Sequence, residues 1–269
     1  VKVRLAGSME TALITLYGKA LDAGMTPSLL HDTMAAQAVE RIDYDFGRIG
    51  MTPRLAPNVA ARSLHFDGWA REFLARHEQA TVVHLGAGLD TRVWRVDPGP
   101  GVRWYEVDYP EVVAVRRQLY PERENYQLIG CSATAPEWLA QVPADRPTLV
   151  LGEGLLMYLE PAQGHELLRR ITDRFPSGVF AGDTHNRLAV RMVNRNLART
   201  FGAPLLRWAI EDPHELERAN PALRLTDAVS ALSSPSLPRA TRILATLTRP
   251  VRAVRDLGMY LRLEFGPQG

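Results

Sequence analysis

The sequence predicts an α/β fold with a mostly parallel sheet, and three observations carry that prediction. Between residues 81 and 183, short apolar runs alternate with stretches of helical spacing. The first run, Val82-Val83-His84-Leu85, ends in Gly86-Ala87-Gly88. An acid, Asp108, follows 20 residues after Gly88, at the end of the second run, Trp104-Tyr105-Glu106-Val107. Glycines let a backbone approach a ligand closely, and a carboxylate at the next strand tip can accept hydrogen bonds from ribose hydroxyls. The pattern therefore places a nucleoside-containing cofactor across the carboxyl ends of parallel strands.

Each element has its own signal. Residues 9–24 carry Met9, Leu13, Leu16, Tyr17, Ala20 and Leu21 at helical spacing. A second helix is expected over 32–43, after which Pro53 and Pro57 break the chain. Val59 to Arg76 reads as a third helix, with Phe66, Trp69, Phe73 and Leu74 on its apolar side. Strands are expected at 81–86, 103–108, 126–131, 147–152 and 178–183, with helices at 91–95, 110–118, 136–141 and 161–174. Beyond Thr184, residues 186–207 look helical and place Arg187, Arg191, Arg195 and Arg199 along one stripe. A short helix over 212–220 is expected to use Asp212 as cap and Pro213 at its first position. Leu223–Val229 reads as a sixth strand and Pro238–Leu257 as a further helix. Tyr260 to Phe265 alternates as a closing edge strand.

Composition narrows the class. At 269 residues the chain suits one domain, 1–269, with added helices. Hydrophobic residues at 46% and charged residues at 23% are an ordinary globular balance. A net charge of +2 gives no footprint for nucleic acid, which sets aside an RNA-binding enzyme. Cys131 is the single cysteine, which excludes a disulfide framework or a cysteine-based zinc site. No apolar run is long enough to span a bilayer, and Val1-Lys2-Val3-Arg4 leads into no secretory h-region. A cytoplasmic protein without membrane partners is the expectation; its oligomeric state is left open.

The glycine loop discriminates between cofactors. A dinucleotide fingerprint needs a third glycine, which position 91 lacks, and a P-loop needs a Gly-Lys-Ser/Thr ending. This disfavours an NAD(P)-dependent oxidoreductase. Asp90 is a poor neighbour for a pyrophosphate and a suitable one for a cationic ligand. S-adenosylmethionine (AdoMet) has a sulfonium, an amine and a ribose diol but no phosphate, and it fits best.

Several segments together resemble the leucine carboxyl methyltransferase family, within it the bacterial branch of polyketide and other natural-product O-methyltransferases. They are Glu10-Thr11-Ala12-Leu13, Asp43-Tyr44-Asp45-Phe46, Arg62 with Asp67, Leu85 to Arg92, Asp108-Tyr109-Pro110, Trp138, and Glu153-Gly154-Leu155-Leu156-Met157-Tyr158-Leu159. The resemblance implies a class I methyltransferase fold: a seven-stranded, mostly parallel sheet whose last strand runs antiparallel between the fifth and sixth. It divides the chain into a helical lid over 1–78, a cofactor-binding core over 79–184, and substrate-side helices and closing strands over 185–269. It implies an ion pair between Arg62 and the methionine carboxylate, cofactor contact at Glu153 and Gly154, and substrate contact at Met157 and Tyr158. Where the family usually places an acid for the adenine amine, this chain has Ser132 followed by Ala133, a departure that leaves a hydroxyl or backbone group in its place.

Competing readings stand beside these roles. Gly86 and Gly88 would pass under the ribose and methionine, and Asp90 either orients the cofactor amine or caps the next helix. Asp108 either holds the diol or merely closes a strand. Arg62 could be a solvated arginine, and Met157 a core residue. Tyr158 can present its hydroxyl to an acceptor, and His185 is the best substrate-side base, because an imidazole titrates near neutrality. His65, His84 and His214 rank lower, and no trio has metal-ligand spacing, so no metal is expected. A carboxylate acceptor is already ionised and needs no base; a positive clamp would help it more, and Arg191 and Arg195 could supply one from their row, the competing reading being a solvated helix face. A phenolic acceptor would need the base. A small-molecule or peptide carboxylate is favoured over a phenol. An AdoMet-binding regulatory or assembly protein without turnover is the alternative outside enzymes.

Overall fold

The computed structural model describes residues 1–234, 237, 239–248 and 250–267. Three helices precede the sheet: α1 (Thr11–Ala23), α2 (Thr33–Arg41) and α3 (Ala56–Arg76). Asp32 caps α2 by accepting the Ala35 N–H at 3.0 Å. Pro57 opens α3 rather than breaking the chain, because a first-turn residue has no N–H bond to lose.

The core then alternates as β1 (Ala80–Leu85), α4 (Arg92–Val96), β2 (Val102–Asp108), α5 (Pro110–Leu119), β3 (Tyr126–Gly130), α6 (Glu137–Gln141), β4 (Thr148–Gly152), α7 (Pro161–Arg174) and β5 (Gly178–His185). After it come α8 (Arg187–Phe201), α9 (Glu215–Ala219), β6 (Leu223–Ser230), α10 (Arg239–Thr248), α11 (Arg252–Arg255) and β7 (Gly258–Phe265). The strands form one seven-stranded sheet in the order β3-β2-β1-β4-β5-β7-β6. Pairing is parallel from β3 through β5, while β7 runs antiparallel to both its neighbours.

β1 and β4 are buried along their whole length, as central strands covered on both faces must be. Val83, Val107 and Phe180 face one packed layer; Val82, Trp104 and Leu151 face another, under α3. α1 and α2 form a third cluster, in which Leu13 and Leu16 pack with Leu89 and Val112.

β7 lies between β5 and β6, as the family resemblance implies, although its alternation alone reads as an edge strand; β6 takes the edge. Three boundaries differ from expectation. α8 stops at Phe201, where Gly202 takes a left-handed conformation (φ 80°). α9 begins only at Glu215, because Asp212 closes a turn onto the His214 N–H instead of capping a helix. The helix expected over 238–257 is two, α10 and α11, with Pro250 between them; Pro238 lies outside the described residues.

Candidate active site

Strand order reverses between β1 and β4, and a crevice over the carboxyl ends of the strands follows from that. A cavity of about 550 Å³ occupies it. It is walled by α1, by Arg62 of α3, by the tips of β1, β2, β4 and β5, and by Val193 and Leu197 of α8.

The floor is the glycine loop. Gly86 and Gly88 have φ of 60° and 54°, a region where a side chain strains the backbone. A Cβ on Gly88 would also lie 3.1 Å from that of Ala12, so α1 rests directly on the loop. Asp108 accepts the Gly88 N–H at 2.7 Å and the Tyr109 N–H at 2.8 Å. Burial nevertheless holds its carboxyl above the ordinary value, against the pull of those donors and of Arg116. Two bonds leave lone pairs on the carboxylate, so it can still accept from a diol.

Beside the loop, charged groups interlock. Arg62 donates from Nε to Glu153 at 2.8 Å and from Nη1 to Asp183 at 3.3 Å. Ser63 Oγ adds a bond to Glu153 at 3.0 Å. Arg92, wholly buried, bridges Glu153, Asp67 and Asp90. Although burial opposes it, the charge of Arg92, then of Arg62 and Lys19, pulls Glu153 down to about 2. Asp90 pairs with Lys19 at 2.9 Å, with Arg92 and with Arg95. No side chain caps α4, so the capping reading of Asp90 fails. Burial lowers the Lys19 ammonium below its usual value, and Asp90 pulls it back.

Ser132 and Ala133 line the cavity after β3. The Ser132 hydroxyl lies 2.9 Å from the Thr134 hydroxyl, and the Ala133 carbonyl accepts the Trp138 indole N–H at 2.9 Å, which pins the loop. Glu153 and Gly154 close β4, and the Gly154 N–H donates to Asp183.

At the other end are Met157, Tyr158 and His185. Met157 is both core and wall: it is buried with Leu197 and Leu206 and also lines the cavity. Burial pushes the Tyr158 phenol up, keeping it protonated, and lowers the His185 imidazole, keeping it neutral. His185 Nδ1 is buried without a hydrogen-bond partner among the described residues.

Arg191 and Arg195 lie elsewhere. Both are exposed and neither lines the cavity, because α8 turns Val193 and Leu197 inward. The expected clamp on a substrate carboxylate is therefore absent from this arrangement. His84 lines the cavity, His65 packs between Trp69 and Tyr260, and His214 pairs with Glu217 on the surface. Among the described residues no group of His, Cys, Asp and Glu could hold a metal, and no helix is long and apolar enough to cross a membrane.

Two lining residues escaped the sequence reading. Asp183 sits inside an apolar strand two residues before the histidine that drew attention. Lys19 shares the buried stripe of Leu13 and Leu16, and it is one of only two lysines in a chain with 32 basic residues. A lone lysine on an apolar stripe, in a chain that otherwise uses arginine, was the available signal.

Strand order and a glycine loop beside a strand-tip acid, ringed by carboxylates that suit a sulfonium, define a class I AdoMet-dependent methyltransferase. The model of the family described as leucine carboxyl methyltransferase matches residues 12–172. The chain belongs to that family. It is 39% identical over 262 residues to the tetracenomycin polyketide synthesis O-methyltransferase TcmP of Streptomyces glaucescens, covering 97% of each. It is 34% identical to the S-adenosyl-L-methionine-dependent methyltransferase dpfgK of Gibberella zeae, covering 86% of this chain and 85% of that one. A DUF574 family protein from Streptomyces avermitilis shares the fold at 17% identity and a TM-score of 0.60, over 96% of this chain and all of the other.

Proposed function

We propose that the protein methylates a carboxylate oxygen of a small, largely apolar natural product, with residues 1–78 acting as a lid over the cavity. The TcmP relative, an O-methyltransferase of polyketide synthesis, supports the oxygen acceptor and its class. One observation carries the choice of carboxylate: the acceptor end offers hydrogen-bond donors but no base hydrogen-bonded to an acid. His185 Nδ1 has no hydrogen-bonded carboxylate among the described residues, Asp183 acting on the ring only through its charge, and the Tyr158 phenol stays protonated. A carboxylate needs no base, because it is ionised well below neutral pH.

In this reading Asp108 holds the ribose diol and the glycine loop passes beneath it. Arg62 and Lys19 meet the methionine carboxylate, and Ser132 and Ala133 meet the adenine edge. Glu153, Asp90 and Gly154 shape the region around the sulfonium, with Glu153 also fixing Arg62. Bound AdoMet supplies a methyl group on a cationic sulfur, and its transfer to the acceptor oxygen leaves an ester and a neutral thioether. Tyr158 and His185 orient the acceptor by donating hydrogen bonds, while Met157, Val193 and Leu197 exclude water from its apolar body.

The unpartnered Nδ1 is also what a phenol-deprotonating base would present, and this keeps a phenolic acceptor as the second reading. His185→Gln, assayed against paired aromatic acids and phenols, separates the two. A carboxylate acceptor predicts a fall in kcat of about tenfold or less, with an unchanged pH profile. A loss of roughly 10²–10⁴, with the acidic limb of the profile removed, would establish a general base and overturn the carboxylate assignment.

A further inference from the structure

The outer side of the acceptor end carries a pattern that methyl transfer leaves unused. While Val193 and Leu197 wall the cavity, the opposite face of α8 presents Arg187, Arg191, Arg195 and Arg199 in one row. Leu188 and Met192 stand exposed in the row beside it. α10 repeats the arrangement: Arg242 is exposed next to Ile243, and Leu247 one turn on is 73% exposed. Asn186, the cap of α8, donates from Nδ2 at 2.8 Å to the Ala253 carbonyl of α11, the short helix that follows α10.

The α8 row has one sign of charge. Residues 186–202 contain four arginines and no acid in a chain whose net charge is only +2, whereas Arg252 and Arg255 of α11 pair with Asp256. Arg191, Arg195, Arg199 and Arg242 have no ion-pair partner among the described residues, and Arg187 reaches Glu211 only at 3.9 Å. Like charges four apart on a helix repel, so folding alone gives no reason for the row.

We propose that this face docks an acidic protein whose contact surface mixes carboxylates with aliphatic side chains, seating it at the acceptor end of the cavity. Arginine and methionine together are interface composition, and guanidinium forks pair with carboxylates in two-bonded geometry. Nucleic acid fits less well, because among the described residues the face shows no exposed aromatic ring for stacking, and it would leave the aliphatic row unused. A membrane fits less well too, because α8 turns Val193 and Leu197 into the cavity and leaves only Leu188 and Met192 outward, a narrow apolar pair beside four arginines. A second copy would oppose arginine to arginine.

The test uses the full chain and a labelled synthetic amphipathic helix of glutamate and leucine, with polyglutamate, phosphatidylglycerol vesicles and single-stranded RNA as competitors. The expected result is salt-sensitive binding of the helix in preference to all three competitors. It should weaken about tenfold in Arg191→Glu/Arg195→Glu and measurably in Met192→Ser. AdoMet titration of each variant checks that it is folded; should the double variant fail that check, Arg242→Glu on α10 carries the same expectation. Equal binding of polyglutamate, preference for vesicles or RNA, or unchanged affinity in the folded variants would each overturn the proposal.

Discussion

At the end of the cavity proposed for the cofactor, ion pairs tie Lys19, Arg62 and Arg92 to Asp90, Glu153 and Asp183, so that α1, α3, the glycine loop and two strand tips are held in one geometry. At the end proposed for the acceptor, Met157, Val193 and Leu197 give an apolar wall, and the buried His185 Nδ1 has no hydrogen-bond partner among the described residues. The first region is set by electrostatic pairing before any ligand arrives; the second is set by packing. Paired charges tolerate little change, because removing one partner strands the other in low dielectric. Apolar walls tolerate swaps of similar volume. A family can therefore keep one cofactor while its acceptors diverge.

Four measurements sharpen or break this contrast. Arg92→Ala should cost about 3–5 kcal/mol in denaturant unfolding at neutral pH, because it leaves Glu153, Asp67 and Asp90 short of a buried partner. A cost below about 1 kcal/mol would mean that the network is not what holds the cofactor end together. Next comes acid. Glu153 is held at about 2 in the folded chain, below the unfolded glutamate value near 4.3. Its contribution is therefore whole above that unfolded value and is lost as pH falls toward 2, on the order of 3 kcal/mol in all. Glu153→Gln should flatten that limb of the stability curve, and an unaltered limb would assign it to other carboxylates. Asp108→Ala should weaken AdoMet binding by about 2 kcal/mol, roughly 30-fold, in calorimetric titration, beside a stability cost of about 1–3 kcal/mol from the Gly88 and Tyr109 N–H groups left unpaired. The smallest effect belongs to the apolar wall: Met157→Leu should cost under about 1.5 kcal/mol in stability and leave AdoMet affinity alone, while changing the KM for the acceptor. A large loss of cofactor binding there would erase the distinction between the two ends.

How much of this was legible follows the same divide. Apolar runs exposed β1 through β5 within a residue or two, most clearly β1 and β4, because a central parallel strand must be apolar on both faces. Gly88 and Asp108 were readable as a spaced pair, and their hydrogen bond explains the spacing. Lys19 and Asp183 were not singled out, because a buried charge looks like surface until its partner is known, and Asp90 lies 71 residues from Lys19. Arg191 and Arg195 show the reverse failure. Spacing gave their stripe correctly, but which side of α8 met the cavity depended on the burial of Ala189 and Leu197. Tyr260 to Phe265 alternates in the way edge strands do; the family resemblance, not the alternation, implied the interior position that pairing to β5 and β6 shows.

That interior position has a consequence for how the chain is made. β7 is the last strand in sequence, yet it separates β5 from β6. During synthesis β5 leaves the ribosome with an open edge, and β6 follows with no neighbour to receive it. Both wait for residues 258–265. One flank of the sheet therefore stays unzipped until almost the whole described chain exists, and in that interval the exposed edge of β5 is the segment most in need of a chaperone's attention.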